Sequence, residues 1–429
     1  MEKKRSLFGP GFLVTAAFVG PGTIATASRS GSGFGYALLW AVLFSVVATI
    51  ILQEMTARLG AVTGQGLGMS LRSTFQSPWK RILVFTLVLL AIVFGNTAYQ
   101  AGNITGAATG LSDIFDAQEI ADVQVGAEAA ATVPRTSYRW WAIPIAVIAW
   151  ALLMSGRFKL VQNVLIVLVV AMSALFIVAA IAAGPDWSQV ASGVFNPQFP
   201  DESALLVVAL VGTTVVPYNL FLHSSSVAQA WGSEEDKAAA LKRSRIDAVL
   251  SIVIGGLITA AILVSAAVAF DGAKTVGSLG DIAKQLEPVL GGASTWVFGI
   301  GLLAAGLTSA ITAPLAAAYA AAGCLGWDSR LSDNRFRAVF TLVIVLGLIA
   351  VWAFPGGRSP AQLVIVAQFA NGLLLPVVSV FLLVVMNNRK LLGEYANGIF
   401  TNVLGAAIVL LTAGWGINQV ISAIGKITG

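Results

Sequence analysis

The sequence predicts an all-α integral membrane protein made of two blocks of five spanning helices and one further helix. Three observations point there. The chain of 429 residues is 57% hydrophobic and only 10% charged, with a mean hydropathy of +0.86, whereas a soluble globular chain carries about a quarter charged residues. Eleven apolar runs, each bounded by charges or turn residues and close to the ~20 residues that cross a bilayer, follow one another along it. The first and the sixth of these runs are interrupted by proline in the same way.

In chain order the runs fall near 10–30, 36–58, 82–112, 140–155, 159–184, 203–231, 247–270, 291–322, 336–354, 361–386 and 395–424. The second, fifth and tenth are long and uninterrupted. The fourth is short, and the eighth is expected to include a turn outside the membrane. The whole of 1–429 reads as a single transmembrane domain, with repeat one over about 10–184, repeat two over about 203–386 and the extra helix over about 395–424. The apolar stretch after the basic Met1–Arg5 contains Gly9, Pro10 and Gly11, so no cleavable signal peptide is expected.

Orientation follows from the Lys/Arg bias of the loops. With the N-terminus inside, all but seven of the 25 basic residues fall on the inner face: Arg29, Arg135, Arg139, Lys274, Lys284, Arg358 and Lys426 are the exceptions. The longest outer loop is acidic (Asp113, Asp116, Glu119, Asp122, Glu128). A multi-pass protein of the prokaryotic plasma membrane is therefore expected, N-terminus cytoplasmic and C-terminus outside. Its basic residues are scattered over short loops, so the net charge of +5 does not indicate nucleic acid as a partner. The lone Cys324 excludes a disulfide framework and the lone His223 a histidine-cluster zinc site. No cofactor is expected, the bilayer is the expected environment, and a monomer is the expected functional unit.

The first interruption reads Thr15-Ala-Ala-Phe-Val-Gly20-Pro21-Gly22-Thr23, and the sixth reads Val211-Gly-Thr-Thr-Val-Val216-Pro217-Tyr218-Asn219. Proline removes a backbone donor and clashes with the preceding turn. The freed backbone groups at membrane depth must be satisfied by protein, water or a ligand. A single such site reads equally as a plain proline kink. Two of them, five spans apart, point to inverted repeats with a binding site between the breaks.

The charge-free interior narrows the chemistry. The third run has only Asn96, Gln100 and Asn103 as strongly polar residues, and the tenth has Gln362, Gln368 and Asn371. Glu54 and Asp247 sit near inner ends, where Arg58 and Arg245 are available as partners, which gives both a structural reading. An enzyme is not expected, because no paired carboxylates or nucleophile–base constellation occurs at membrane depth.

Gly9-Pro10-Gly11 through Gly20-Pro21-Gly22-Thr23, Leu39-Trp40, Gln53 and Arg58-Leu59-Gly60 with Thr63-Gly64 resemble the start of the Nramp family of divalent-metal transporters. Pro217 to Ser224, Gly301 to Gly306, Gln368 to Pro376 and Asn388-Arg389-Lys390 resemble later parts of it. The likeness covers nearly the whole chain and implies the LeuT-like arrangement of two inverted five-helix repeats, discontinuous helices 1 and 6, and an eleventh helix. It also implies divalent-cation transport by alternating access.

The departures bear on the substrate. The family's first break carries a metal-ligating Asp and Asn, where this chain has Gly20 and Thr23. Its sixth helix carries Met and His, where Val216 and Tyr218 stand, and two acidic residues of its third helix align with Gln100 and Asn103. This pattern resembles the Nramp-related magnesium transporters. Losing the thioether removes the soft ligand that selects transition metals. Magnesium commonly keeps several waters when bound, so a wide neutral site suits it. The resemblance thus implies Mg2+, and also Mn2+, taken up partly hydrated and without proton coupling. Two alternatives stay open: a carrier of a small organic solute such as an amino acid, and a proton-coupled Mn2+/Fe2+ importer.

Candidate lining groups are the carbonyls of Ala17, Gly20 and Val216, the hydroxyls of Thr23 and Thr213, and the amides of Asn219 and Gln368. Each has a plainer reading: Thr23 as a helix cap, and Thr213 and Thr214 as hydroxyls bonded to their own i−4 carbonyls. Tyr218, His223, Gln100 and Asn103 are candidates for a gate or proton path. For Tyr218 the plainer reading is packing, and for His223 a helix–helix hydrogen bond.

Overall fold

The computed structural model describes residues 9–122, 137–156, 158–270, 279–354 and 359–428. Lys3, Lys4, Arg5, Glu128, Arg135, Arg157, Lys274 and Arg358, used in the charge argument, lie outside them, as do the side chains of Asp116, Glu119, Asp122, Lys159 and Lys426. Among the described residues, ten helices are long and apolar enough to cross a membrane. A bent pair, Pro10–Phe18 and Pro21–Phe34, makes an eleventh span.

The first span bends by 54° at Val19–Gly20. Val19 still donates its N–H to Thr15, but Gly20 is extended (φ −123°, ψ −170°) and Pro21 opens a new helix. In the sixth span, Ala204–Thr214 ends and Pro217–Trp231 begins across an extended Val216 (φ −77°, ψ 124°). Its halves stay near enough to one line to form a single span of 28 residues. Equal sequence signals therefore give unequal bends.

The order continues with Leu39–Thr63, a short helix Leu67–Thr74, Pro78–Asp122, Ser137–Ser155, Phe158–Ala182 and a second short helix Trp187–Phe195. After the sixth span come Lys237–Phe270, Ser294–Leu325, Asn334–Ala353, Pro360–Met386 and Ile399–Thr428. Both short helices were hidden in stretches too polar to span. Trp187–Phe195 is capped by the Asp186 carboxylate, which accepts the N–H groups of Ser188 and Gln189. The expected turn of the eighth span is a run of 3-10 and α turns over 280–293, preceding the helix. The seventh span starts ten residues earlier than expected, at Lys237, because its charged first turns run on as helix beyond the apolar stretch.

Burial sorts the spans into centre and periphery. The sixth is 94% buried along its most apolar window and the eleventh only 22%. Lipid supplies no hydrophobic drive for helix pairing, so close approach of small residues carries it. A Cβ on Gly110 would lie 2.5 Å from the Gly299 carbonyl oxygen, so the third and eighth spans touch backbone to backbone. Gly212 and Gly372 do the same for the sixth and tenth, where a Cβ on Gly212 would lie 2.1 Å from the Gln368 carbonyl.

The polar ends are tied by charge. Glu54 accepts from Arg58 at 3.1 Å and from Arg245 at 2.7 Å, and Arg58 also donates to the Tyr395 carbonyl and to Asn397 Oδ1. Asp247 does not share this network. Its carboxylate accepts the Gly11 N–H at 2.5 Å and so caps the start of the first span from the seventh. The physical reason is helical phase: residues two apart point in different directions, so Arg245 reaches Glu54 while Asp247 faces Pro10–Phe18.

Candidate functional site

The two breaks meet through a pair of threonines. Thr23, in the first turn after the first break, donates its hydroxyl back across the break to the Phe18 carbonyl. Its oxygen also lies 2.8 Å from Thr213 Oγ1, on the sixth span just before that span's own break. Since the Thr23 proton is committed to Phe18, Thr213 is the donor in this pair. Thr214 bonds back to the Leu210 carbonyl at 3.0 Å, the ordinary role of a mid-helix threonine.

Two residues that sequence reasoning passed over complete the wall. Tyr99 on the third span and Ser309 on the eighth both donate to the Ala17 carbonyl, at 3.0 and 3.3 Å. Both lone pairs of that carbonyl are thus taken by hydroxyls, in place of the free ligand expected of it. Gly20 faces Ser309, whose oxygen would stand 2.8 Å from a Cβ there. The only sequence signal was a hydroxyl, beside the amides of the third span for Tyr99 and among small residues of the eighth for Ser309.

Asn219 is fully buried in the first turn after the break of the sixth span, and neither its amide oxygen nor its nitrogen has a protein partner among the described residues. The Val216 carbonyl accepts the Asn219 backbone N–H at 3.0 Å, leaving one lone pair. Gln368 lies over Gly22, where a Cβ would meet its Nε2 at 2.2 Å; it donates weakly to Val364, and its Oε1 has no partner. Buried amides normally find partners, so Asn219 and Gln368 mark where polar contents belong.

On the third span, Tyr99 reaches Ala17 and Gly106 packs on Pro21. Asn103, four residues after Tyr99, shares that face by helical register; it is buried, and both side-chain polar atoms lack partners. Gln100 turns away to the eighth span, donating to the Ala310 carbonyl at 3.1 Å. Tyr218 packs edge-on against Tyr99, ring centroids 5.3 Å apart. His223 sits further along: Nδ1 donates to Gln53 Oε1 at 2.8 Å, joining the sixth and second spans.

Thr23, Thr213, Asn219 and Gln368 are all fully buried, so the structure closes the region from both faces. A cavity of about 150 Å3 lies at the charge-rich end, where Ser225 and Gln229, on the same half-helix as Asn219, line it with Gln65 and Tyr319. Among the described residues, no group of three or more His, Cys, Asp or Glu side chains comes together. The donors at the breaks are carbonyls, hydroxyls and amides.

Comparison with known proteins places this arrangement. The family model described as natural resistance-associated macrophage protein-like (Nramp) matches residues 11–422. The chain belongs to the Nramp family. A divalent metal cation transporter MntH of Caldanaerobacter subterraneus is 30% identical over 414 residues, covering 95% of this chain and 91% of the relative. The protein of that name from Bradyrhizobium diazoefficiens is 31% identical over 415 residues, with 95% and 86% covered. In three dimensions the Eremococcus coleocola manganese transporter aligns with a TM-score of 0.76 at 21% identity, covering 98% of this chain and 87% of that one. MhsT, solved with L-phenylalanine, aligns at 0.57 and 17% identity, covering 99% and 100%. The Nramp chain thus has the LeuT-like fold, with helices 1 and 6 discontinuous as the prolines required.

Proposed function

We propose that this chain carries divalent cations across the plasma membrane by alternating access, with Mg2+ as the main substrate, taken partly hydrated, and Mn2+ also accepted. The N-terminus is cytoplasmic in this reading, and transport moves no protons. The observation that carries it is the neutral donor set between the breaks. In this reading Thr23 and Thr213, paired across the breaks, act with Asn219 and Gln368, and the buried Asn219 amide and Gln368 Oε1, which lack partners among the described residues, would suit the waters of a hydrated ion. Relatives named for divalent metal cation transport and a structural neighbour named for manganese support the substrate class. Gly20 and Val216 offer neither carboxylate nor thioether, which favours a hard ion that keeps its shell over a soft one that sheds it. Weak binding at such a site is compatible with uptake, because a dication gains about 4.6 kcal/mol per 100 mV of inside-negative potential, twice the single-charge value.

The test is uptake into proteoliposomes holding a pH-sensitive dye. Mg2+ and Mn2+ are expected to enter with the membrane potential and without acidifying the lumen. Acidification that tracks Mn2+ entry would instead establish a proton-coupled importer. If neither ion enters and an amino acid does, the cation reading fails. Asn219→Ala is expected to lower Mg2+ uptake at least tenfold, and an unchanged rate would move the site elsewhere.

A further inference from the structure

A groove of about 470 Å3 lies on the membrane-facing surface between the fourth and ninth spans, away from the helix breaks. Arg337, in the first turn of the ninth span, stands at its mouth. Leu342 and Val345, about one and a half and two turns deeper, and Met154 of the fourth span form its walls. Its floor is fixed, because Trp150 Nε1 on the fourth span donates to Thr341 Oγ1 on the ninth at 3.0 Å. From Asn334 to Val345 the lining runs about 16 Å along the helix at 1.5 Å per residue. Leu342 and Val345 are 48% and 47% exposed, so the walls are open to whatever lies beside the protein.

The mouth has one sign of charge. Arg337 Nε donates to the Leu331 carbonyl at 2.7 Å, which aims the guanidinium and leaves its two terminal nitrogens without a hydrogen bond among the described residues. Neighbouring charges are engaged elsewhere. Arg330 pairs with Asp328, Arg335 lies over the Trp327 ring at 5.7 Å, and the Asp333 carboxylate accepts N–H groups of its own helix. No carboxylate lines the groove. A guanidinium held in a fixed direction is a bidentate partner for phosphate, and basic pockets between spanning helices at the inner face receive anionic lipid head groups.

We propose that this groove is a site for one anionic phospholipid. Its phosphate sits on Arg337 at the level of the first helical turn, and one acyl chain lies between the fourth and ninth spans over the Trp150–Thr341 bond. The occupant is a membrane lipid, since only a molecule with both an anion and a long apolar tail matches the mouth and the walls together. The proposal holds whichever ion the chain carries.

Native mass spectrometry of the full chain tests it, with dioleoyl phosphatidylglycerol or dioleoyl phosphatidylcholine added to the micelles. The wild type is expected to retain phosphatidylglycerol about tenfold better than phosphatidylcholine. Arg337→Gln should bring the anionic lipid down to the level of the zwitterionic one, Ala338→Phe should lower both by filling the groove, and Arg335→Gln should change neither. Arg337 and Ala338 are at least partly exposed, and thermal unfolding of each variant checks that it is folded. Equal retention of the two lipids by the wild type overturns the proposal, as does phosphatidylglycerol binding that survives Arg337→Gln. A dimer mass replacing the lipid adduct also overturns it, because the groove would then be an interface between copies.

Discussion

Thr23→Val keeps the volume and β-branching of the side chain and removes only its hydroxyl, so it isolates the bridge between the breaks. The Phe18 carbonyl loses one donor but keeps the Gly20 N–H at 2.8 Å; that is one net hydrogen bond, about 1 kcal/mol. Thr213 loses its acceptor while fully buried, and an unsatisfied buried hydroxyl costs about 1–3 kcal/mol, less if it turns to its own i−4 carbonyl. The closed arrangement should therefore lose about 2–3 kcal/mol relative to any state in which the breaks have parted, a shift of roughly 30- to 150-fold. Initial rates of Mg2+ uptake into proteoliposomes and thermal unfolding in detergent both read this. Thr23→Ser should stay within about 1 kcal/mol of wild type, since the bridge survives. In a double-mutant cycle, Thr23→Val with Thr213→Val should be no worse than the more harmful single change, because the two share one interaction. Full additivity, or a Thr23→Val protein equal to wild type in both assays, would refute the bridge.

Three further outcomes follow from the packing. Gly212→Ala should destabilise by about 1–3 kcal/mol through overpacking, because its Cβ meets the backbone of the tenth span, whereas Gly33→Ala, with nothing within 4 Å, should be neutral or stabilising; thermal unfolding compares them. Arg58→Gln should cost about 2–3 kcal/mol, below the ~3–5 of a fully buried pair, since Glu54 is 21% exposed and keeps Arg245; the same melt measures it. His223→Ala should cost about 1 kcal/mol for the lost hydrogen bond to Gln53 Oε1, which keeps Thr56 Oγ1 at 3.1 Å, while leaving the pH profile of Mg2+ uptake unchanged, which proteoliposome rates across pH would show.

The positions of the breaks were legible because proline and glycine act locally, through the backbone of their own helix. The bends were not, since proline marks where a helix breaks and not the angle at which the second half leaves. Glu54 found its partner Arg58 from spacing alone, four residues apart on one helix face. Asp247 has the structural role expected of it but not the expected partner, because Arg245, two residues away, lies on a different helix face. Tyr99 and Ser309 stayed hidden because their hydroxyls act across helix contacts, and the register between the third, first and eighth spans is written in no single segment. Asn219 and Gln368 stood out because an amide in an apolar run is conspicuous wherever it points.

The bond from Asp247 to Gly11 has a mechanical consequence. Pro10–Phe18 is a lever of nine residues, about 14 Å long, pivoting on Val19–Gly20 and fastened at its far tip to the seventh span. Rotation by about 10° at the pivot sweeps that tip by about 2.4 Å at this rise, nearly the whole length of the 2.5 Å bond that holds it. The half-helix therefore cannot swing independently by even this much without letting go of Asp247. The latch lies at the end of the arm where leverage is greatest, so a single hydrogen bond there restrains the hinge better than an equal one beside it.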